Sequence, residues 1–394
     1  MLTPVPLPPL SAEEAAHCAQ VAALIRRDIA AAGGWVPFSR FMQLALYAPG
    51  LGYYSAGSHT LGAGGDYITA PELTPLFARC MATQIARLLY AAGGGDVLEA
   101  GAGSGALAAD LLEALAGCGA LPQRYLILEI SAPLRARQRA TLAARVPGLA
   151  ARVEWIDAPP AEAWRGVVVA NEVLDALPVE RFRVTDRGIE SIGVVAGGEG
   201  FALAARPAMA EMVASLSARL GPVLAALPSG YESEWSPWLG PWIDEMSRSL
   251  DCGAMLLADY GLPRTQYYHA SRTRGSVTAF FRHRQIEDVL ARPGLQDITA
   301  WVDFTAVAEA AAGNGLELAG FATQAHFLLS TGLERELAVA GAGLDDGAQA
   351  RLAQAVSTLM LPGEMGERCK VMLLTRGVAD VAAGFAFRDL AATL

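Results

Sequence analysis

The stretch Leu98-Glu99-Ala100-Gly101-Ala102-Gly103-Ser104-Gly105 decides the fold. It follows a predicted strand, Asp96–Ala100, and precedes a predicted helix, Leu107–Ala116. Glycines between such elements let the backbone turn sharply and approach a ligand closely. The next predicted strand ends at Glu129, where a carboxylate can accept hydrogen bonds from both hydroxyls of a ribose. The pattern therefore predicts a βαβ unit that binds a cofactor containing a nucleoside.

The glycine turn alone leaves the cofactor open. Gly101, Gly103 and Ala106 also satisfy the nicotinamide pattern G-x-G-x-x-G/A, and a tight turn without any ligand is the structural alternative. Three features favour S-adenosylmethionine. Glu99 stands two positions before Gly101, near the expected methionine end, and a helical and loop segment precedes the unit. The late apolar run Cys369–Leu374 would form the reversed final strand of a methyltransferase sheet.

Strands and helices alternate on both sides of this unit. A helix over Ala132–Arg145 is followed by apolar strands at Val153–Ile156 and Val167–Ala170, and Ala254–Ala258 resumes the pattern. This alternation predicts an α/β fold with a doubly wound, mainly parallel sheet. The expected organisation is a helical extension with a glycine-rich lid loop, a cofactor-binding core, an inserted substrate region and the remainder of the sheet, over residues 1–92, 93–180, 181–250 and 251–394.

The amino-acid composition limits the kinds of molecule that the protein is expected to bind. The 394 residues are 53% hydrophobic and carry a formal charge of -10, which excludes chain-wide disorder and argues against general affinity for nucleic acid or anionic membranes. No two of the five cysteines stand at CxxC spacing, so we predict no metal site. The N-terminal stretch resembles neither a signal peptide nor a transit peptide, which makes a cytoplasmic location the expectation. The oligomeric state is left open.

A polar pair, Asn171 and Glu172, follows the strand Val167–Ala170. In a doubly wound sheet this strand lies beside the first one, so the pair should stand at the mouth of the ligand crevice. An arginine guanidinium is charged and must lose a proton to be methylated, and carboxylates can hold it and receive that proton. Glu172 and Asp175 are the catalytic candidates. The alternatives are that Asp175 caps a short helix and that Glu172 is solvated.

Several further motifs occur in the order of a known family, and together they cover most of the chain from Phe38 to Arg376. The sequence resembles the MidA-like methyltransferases, which include a mitochondrial complex I assembly factor that methylates an arginine of a subunit. The resemblance implies a class I, Rossmann-like methyltransferase fold, S-adenosylmethionine as methyl donor, and a protein arginine, such as one in a complex I subunit, as acceptor. The motifs are Gly52–Tyr54, Gly65–Glu72, Glu99–Gly105, Leu128–Ser131, Asn171–Pro178, Ala258–Gly261, Gln296–Phe304 and Met365–Arg368.

The pattern and the resemblance together give a set of site residues. Glu172 and Asp175 would act on the acceptor. Predicted cofactor contacts are Glu99, Gly101, Ala102, Gly103, Gly105, Glu129, Ile130, Asp157 and Asn171. Predicted lid or substrate residues are Asp66, Thr69, Pro71, Glu72 and His283.

The sequence leaves more than one interpretation of the lid segment and of the function. The segment Gly64–Glu72 could fold over the cofactor through its glycine hinges, or could simply lead into a helix that begins near Pro71. Asp297 and Asp303 flank an apolar stretch and are expected to make turns or caps. A small-molecule methyltransferase and an assembly factor that binds S-adenosylmethionine without turnover remain the rival functions.

Overall fold

The computed structural model describes residues 8–56, 69–198 and 200–394, and within them the chain forms three sheets flanked by helices. The strands are β1 (Val36–Pro37), β2 (Asp96–Ala100), β3 (Tyr125–Leu128), β4 (Val153–Ile156), β5 (Trp164–Asn171), β6 (Glu180–Thr185), β7 (Gly188–Gly197), β8 (Gly200–Pro207), β9 (Glu232–Trp235), β10 (Leu250–Leu262), β11 (Thr278–Phe281), β12 (Arg284–Ile286), β13 (Asp297–Thr299), β14 (Val302–Asp303), β15 (Glu317–Thr323) and β16 (Cys369–Arg376).

The helices surround these sheets. They are α1 (Ala12–Ala31), α2 (Phe38–Tyr47), α3 (Ala70–Leu73), α4 (Leu76–Ala91), α5 (Ala106–Gly117), α6 (Ala132–Arg145), α7 (Ala210–Leu220), α8 (Pro222–Ala225), α9 (Leu239–Ser247), α10 (Arg264–Tyr267), α11 (Phe304–Gly313), α12 (Gln324–Ser330), α13 (Leu333–Gly341), α14 (Asp346–Met360) and α15 (Met365–Arg368). Short 3-10 helices cover Ala150–Arg152, Ala382–Phe385 and Ala391–Thr393.

The central sheet has the strand order β15-β16-β10-β5-β2-β3-β4, and β14 pairs with β10. Strands β10, β5, β2, β3 and β4 are parallel to one another, whereas β16 runs antiparallel to both of its neighbours. The doubly wound, mainly parallel sheet and its reversed final strand are therefore confirmed. The first cofactor-binding strand, β2, lies beside β5, so their carboxyl ends share one edge of the sheet.

Alternate residues of the central strands face opposite helical layers. Val97 and Val167 pack in a core with α4, α5, α6 and α12, whereas Leu98 and Val168 pack with α9 and α11. Both faces of the sheet are thus covered, which explains why its strands read as nearly continuous apolar runs.

A second, antiparallel sheet joins the start of the chain to the predicted insertion. It has the order β1-β7-β6-β9, with β8 on the other edge of β7. A third small sheet has the order β12-β11-β13. Helices α1 and α2 pack in one core with residues of these two sheets, among them Val194 and Phe281. Within the described ranges, no helix has the length and hydropathy needed to cross a membrane.

Candidate active site

A cavity of about 700 Å³, the first cavity, opens at the carboxyl ends of β2, β3 and β5. Eleven of the predicted site residues line it. These are Thr69, Pro71, Glu72, Glu99, Gly101, Ala102, Gly103, Glu129, Ile130, Asn171 and Glu172. The remaining predicted residues lie elsewhere or outside the described part of the chain.

The glycine turn forms one wall of the first cavity. Gly101, Gly103 and Gly105 have φ values of 67°, 54° and 84°, a left-handed conformation that favours glycine. A Cβ on Gly105 would stand 3.1 Å from the Cα of Gln138, so this residue permits α5 to begin close against α6. Gly105 supports the turn from behind instead of lining the cavity.

Glu129 is held in place by two hydrogen bonds. Its Oε1 accepts from the Ser131 backbone N–H at 2.8 Å, and its Oε2 accepts from Gln138 Nε2 at 3.2 Å. The Gln138 amide also donates to the Gly103 carbonyl at 3.1 Å and accepts from Trp155 Nε1 at 2.9 Å. Gln138 thereby ties the acidic residue to the glycine turn. Sequence reasoning missed it, because a single glutamine in a polar helix carries no signal of its own.

Glu99 is a buried carboxylate at the end of β2. Its Oε2 accepts a hydrogen bond from the Tyr125 hydroxyl at 2.7 Å, and burial raises its pKa to about 7. A cationic group in the first cavity would favour the ionised form of this side chain. The amino group of a methionine moiety has that charge.

Glu72 connects the predicted lid segment to the glycine turn. The Ser104 hydroxyl donates to the Glu72 carboxylate, and Ser104 Oγ accepts from the Ala106 backbone N–H at 3.2 Å. Pro71 lies within α3, a helix of one turn, so the predicted helical start near Pro71 is present. The lid residue Asp66 lies outside the described residues.

Glu172 takes an unusual conformation at the end of β5. Its φ is 53°, and its backbone N–H donates to the Ala258 carbonyl at 2.8 Å, which pins the turn to β10. Asn171 Nδ2 donates to Oε1 at 3.3 Å, the Ala70 backbone N–H also faces the carboxylate and lowers its pKa, and the buried Oε2 forms no further hydrogen bond among the described residues. Burial, with the neighbouring Asp259 charge, raises the pKa of Glu172 to about 8. The alternative of a solvated Glu172 is wrong, since the residue is 8% exposed.

Three further buried acids surround Glu172: Asp175, Asp259 and Asp297. Asp259 Oδ2 accepts from the backbone N–H groups of Val173, Leu174 and Asp175 at 3.1, 2.8 and 3.3 Å. Asp259 therefore holds the loop that carries both catalytic candidates. Burial raises the pKa of Asp259 to about 7, and burial with the Asp259 charge raises the pKa of Asp175 well above its usual range.

Asp297 differs from the sequence-based expectation. It makes neither a turn nor a helix cap. It lies fully buried in β13 and accepts a hydrogen bond from the Tyr54 hydroxyl at 2.7 Å. Asp303 does cap a helix, because its Oδ1 accepts from the Thr305 and Ala306 N–H groups at the start of α11.

A second cavity of about 610 Å³ adjoins the same acids. Glu172, Asp175 and Asp297 line it, together with Tyr260 and the exposed His283. Glu172 also lines the first cavity, so its side chain lies in the wall between the two. Glu172 is thus a residue that the linings of the two cavities share, and its Oε2 is shielded from solvent. No group of acidic, histidine or cysteine residues in the described part of the chain has the geometry of a metal site.

Asp157, like Gly105, is a predicted cofactor residue that does not line the first cavity. Its side chain is 84% exposed, and its Oδ1 pairs with Arg135 Nη2 at 2.6 Å instead of lining the first cavity. The Arg135 guanidinium crosses from α6 and engages Asp157 together with the Ile156 carbonyl, and the predicted cofactor contact of Asp157 stays a prediction.

The fold and the site together define a class of protein. A doubly wound sheet with a glycine turn after one strand and a buried acid after the next is a Rossmann-like fold that binds a nucleoside cofactor. Residues 76–322 match the model of a family described as S-adenosyl-L-methionine-dependent methyltransferases, and the chain belongs to this family. The predicted cofactor, S-adenosylmethionine, is thereby confirmed, and the protein is a methyltransferase.

Relatives and solved structures agree with this assignment. The chain is 28% identical to the mitochondrial protein arginine methyltransferase NDUFAF7 of Danio rerio, over 86% of this chain and 82% of that one. For the Mus musculus protein of the same name the identity is 29%, over 85% and 80%. A crystal structure of a COG1565 superfamily protein from Burkholderia thailandensis, bound to S-adenosyl-homocysteine, is 42% identical, has a TM-score of 0.90, and covers 99% of this chain and all of that one.

Proposed function

We propose that this methyltransferase modifies a guanidinium nitrogen of an arginine in a protein acceptor, such as a subunit of respiratory complex I. The observation that carries the proposal is the position of Glu172, a buried carboxylate with an unpartnered Oε2, between the first and second cavities. The names of the relatives support the same acceptor class, since both are protein arginine methyltransferases.

The first cavity is the proposed cofactor site. Its residues fit S-adenosylmethionine, because the left-handed glycine turn leaves the backbone bare toward the cavity and Glu129 is oriented by two hydrogen bonds. In the proposal Glu129 accepts hydrogen bonds from the ribose hydroxyls, and Glu99 faces the methionine amino group.

The second cavity is the proposed acceptor site. Its buried carboxylates Glu172, Asp175 and Asp297 are costly to ionise without a counter-charge, and burial raises the pKa of Glu172 to about 8. A guanidinium that entered this cavity would supply positive charge and hydrogen-bond donors beside the Glu172 carboxylate. A neutral small-molecule acceptor would bring no positive charge to these carboxylates.

Glu172 then serves two purposes in the transfer. It orients the guanidinium and accepts the proton that the reacting nitrogen gives up, which leaves a neutral carboxylic acid. The cofactor supplies a methyl group on a sulfonium, whose S–C bond breaks as the N–C bond forms, with the electron pair left on sulfur. The Asp259 carboxylate keeps the Glu172–Asp175 loop in position through its backbone hydrogen bonds.

A labelling experiment tests this proposal. The enzyme is incubated with S-adenosylmethionine carrying a deuterated methyl group and with a lysate of cells that lack the enzyme, and the proteins are analysed by mass spectrometry. We expect the label on arginine. Label confined to small metabolites would favour the small-molecule reading, and cofactor binding without transfer to any component would favour a scaffolding role.

A further inference from the structure

The second cavity has charges of both signs, arranged by depth. Glu172, Asp175 and Asp297 are buried, whereas Arg274 and Arg368 in the same lining are exposed. The lining has three arginines, Arg272, Arg274 and Arg368, beside its three acidic residues, in a chain with a formal charge of -10. The site therefore presents carboxylates deep inside and guanidinium groups toward solvent.

The outer arginines are available for a ligand. Among the described residues, no ion pair includes Arg274 or Arg368. A third arginine of the lining, Arg272, stacks its guanidinium 4.8 Å from the centre of the Trp301 ring. Its buried Nε has no hydrogen-bond partner among the described residues. Stacking fixes the plane of the Arg272 guanidinium and leaves its N–H groups available to donate hydrogen bonds to a ligand.

A single ligand that paired with the buried carboxylates and with the exposed arginines would itself carry a positive and a negative group. Its cationic end would reach the buried carboxylates, and its anionic end would meet the outer arginines. Arginine forks match carboxylates in a bidentate geometry, which makes an aspartate or glutamate side chain a suitable anionic group. A peptide segment can place an arginine side chain deep in the second cavity and an acidic side chain near its entrance, because neighbouring side chains leave the backbone at different points.

We propose that the acceptor segment carries an acidic side chain close in sequence to the arginine that is methylated, and that Arg272, Arg274 and Arg368 bind this acid at the outer part of the second cavity. This inference rests on the proposed arginine acceptor and adds a sequence preference to it. The outer arginines would contribute to acceptor affinity and selectivity, whereas the chemical step would depend on Glu172.

A peptide library tests the preference. Peptides with one central arginine and with Asp, Asn, Ala or Lys at the flanking positions are incubated with the enzyme and labelled S-adenosylmethionine. We expect KM to be about three- to tenfold lower for peptides with a flanking Asp than for their Asn counterparts, the scale of two exposed ion pairs. The difference should shrink as salt is added.

Variants assign the preference to the outer arginines. In the double variant Arg274→Gln with Arg368→Gln, the KM advantage of the Asp peptide over the Asn peptide should shrink to the part that Arg272 alone supplies. Arg187→Gln is the control, since Arg187 is exposed in the turn between β6 and β7, away from the second cavity. It should keep the wild-type preference.

The outcomes separate the two proposals. Equal labelling of Asp and Asn peptides by the wild type, or an Asp preference that is undiminished in the double variant, would overturn the acidic-flank inference and leave the arginine acceptor intact. Labelling of free arginine as efficient as that of the Asp peptide would also overturn it, because the anionic group would then be an α-carboxylate. A library that carries no label at any arginine would overturn the arginine acceptor itself.

Discussion

The first and second cavities meet at Glu172 but are built in different ways. The wall of the first cavity that faces the cofactor comes largely from one βαβ unit, in which the glycine turn and Glu129 lie close together in sequence. The second cavity is assembled from distant segments, from Glu172 through β10 and β13 to Arg368. A shared cofactor needs a local, transferable motif, whereas acceptor recognition can be built from loops and insertions that vary independently.

The comparison implies that changes in the two cavities should affect different quantities. Substitutions in the first cavity should weaken cofactor binding. Substitutions at the wall or in the second cavity should weaken methyl transfer while cofactor binding persists.

Glu172→Gln should have the largest effect. The change preserves the shape of the side chain but removes its negative charge and the proton acceptor, so we expect methyl transfer to fall by roughly 10²-fold or more. Cofactor affinity should stay near the wild-type value. A tritiated methyl transfer assay beside calorimetry of S-adenosylmethionine binding measures both quantities.

Glu180→Gln is the matched control for this variant. Glu180 is a partly buried carboxylate in β6 that accepts from the Ser39 hydroxyl at 2.6 Å and lines neither cavity. It should retain activity. If Glu172→Gln kept full activity, Glu172 would have no part in proton transfer, and if it lost cofactor affinity instead, the wall between the cavities would belong to the cofactor site.

Glu129→Gln tests the first cavity. Loss of hydrogen bonds to a charged acceptor should cost on the order of 1.5–3 kcal/mol of binding free energy, and S-adenosylmethionine and S-adenosylhomocysteine should weaken equally. Glu154→Gln is the control, because Glu154 is exposed on the neighbouring strand β4. A variant that weakened binding of one cofactor form alone would show that Glu129 senses the methyl end and not the ribose.

Gly103→Val tests the backbone approach in the same cavity. A branched side chain at φ 54° would project from the turn that the cofactor must approach, so we expect affinity for S-adenosylmethionine to fall about tenfold or more. Gly119→Val controls for backbone strain, since Gly119 has φ 69°, lies outside the first cavity, and has no atom within 4 Å of the point where a Cβ would stand. Equal affinity in the two folded variants would remove Gly103 from the cofactor site.

The difference in construction between the two cavities explains which site residues could be predicted from the sequence. The βαβ unit was predictable because its glycines, its apolar strands and Glu129 follow one another within a short stretch, and Glu172 followed from the order of the strands. Asp259 and Asp297 were not recognised as part of the site, since β10 and β13 bring them to Glu172 only through tertiary pairing. Asp157 was predicted to contact the cofactor. In the structure it forms an ion pair with Arg135, and residue spacing in the sequence does not reveal that contact.

The last expected effect concerns stability and pH at the wall between the cavities. The pKa of Glu172 is raised to about 8 in the folded protein, from 4.5, so between these values the folded state holds a proton that the unfolded state has released. The unfolded state then binds fewer protons, and the free energy of unfolding must fall as pH rises through this interval. Each unit of raised pKa corresponds to at most about 1.4 kcal/mol.

Glu172→Gln remains neutral at every pH and should escape this loss. In thermal unfolding of the ligand-free proteins, we expect the variant and the wild type to have similar unfolding temperatures near pH 4.5, and the variant to unfold a few degrees higher near pH 8. Asp175 and Asp259 also have raised pKa values, but both are present in the two proteins, so to a first approximation the difference isolates Glu172. Parallel curves for the two proteins would mean that Glu172 ionises freely in the fold. Its burial would then provide no reason for the second cavity to prefer a cation, and the proposed contrast between the cavities would lose its electrostatic basis.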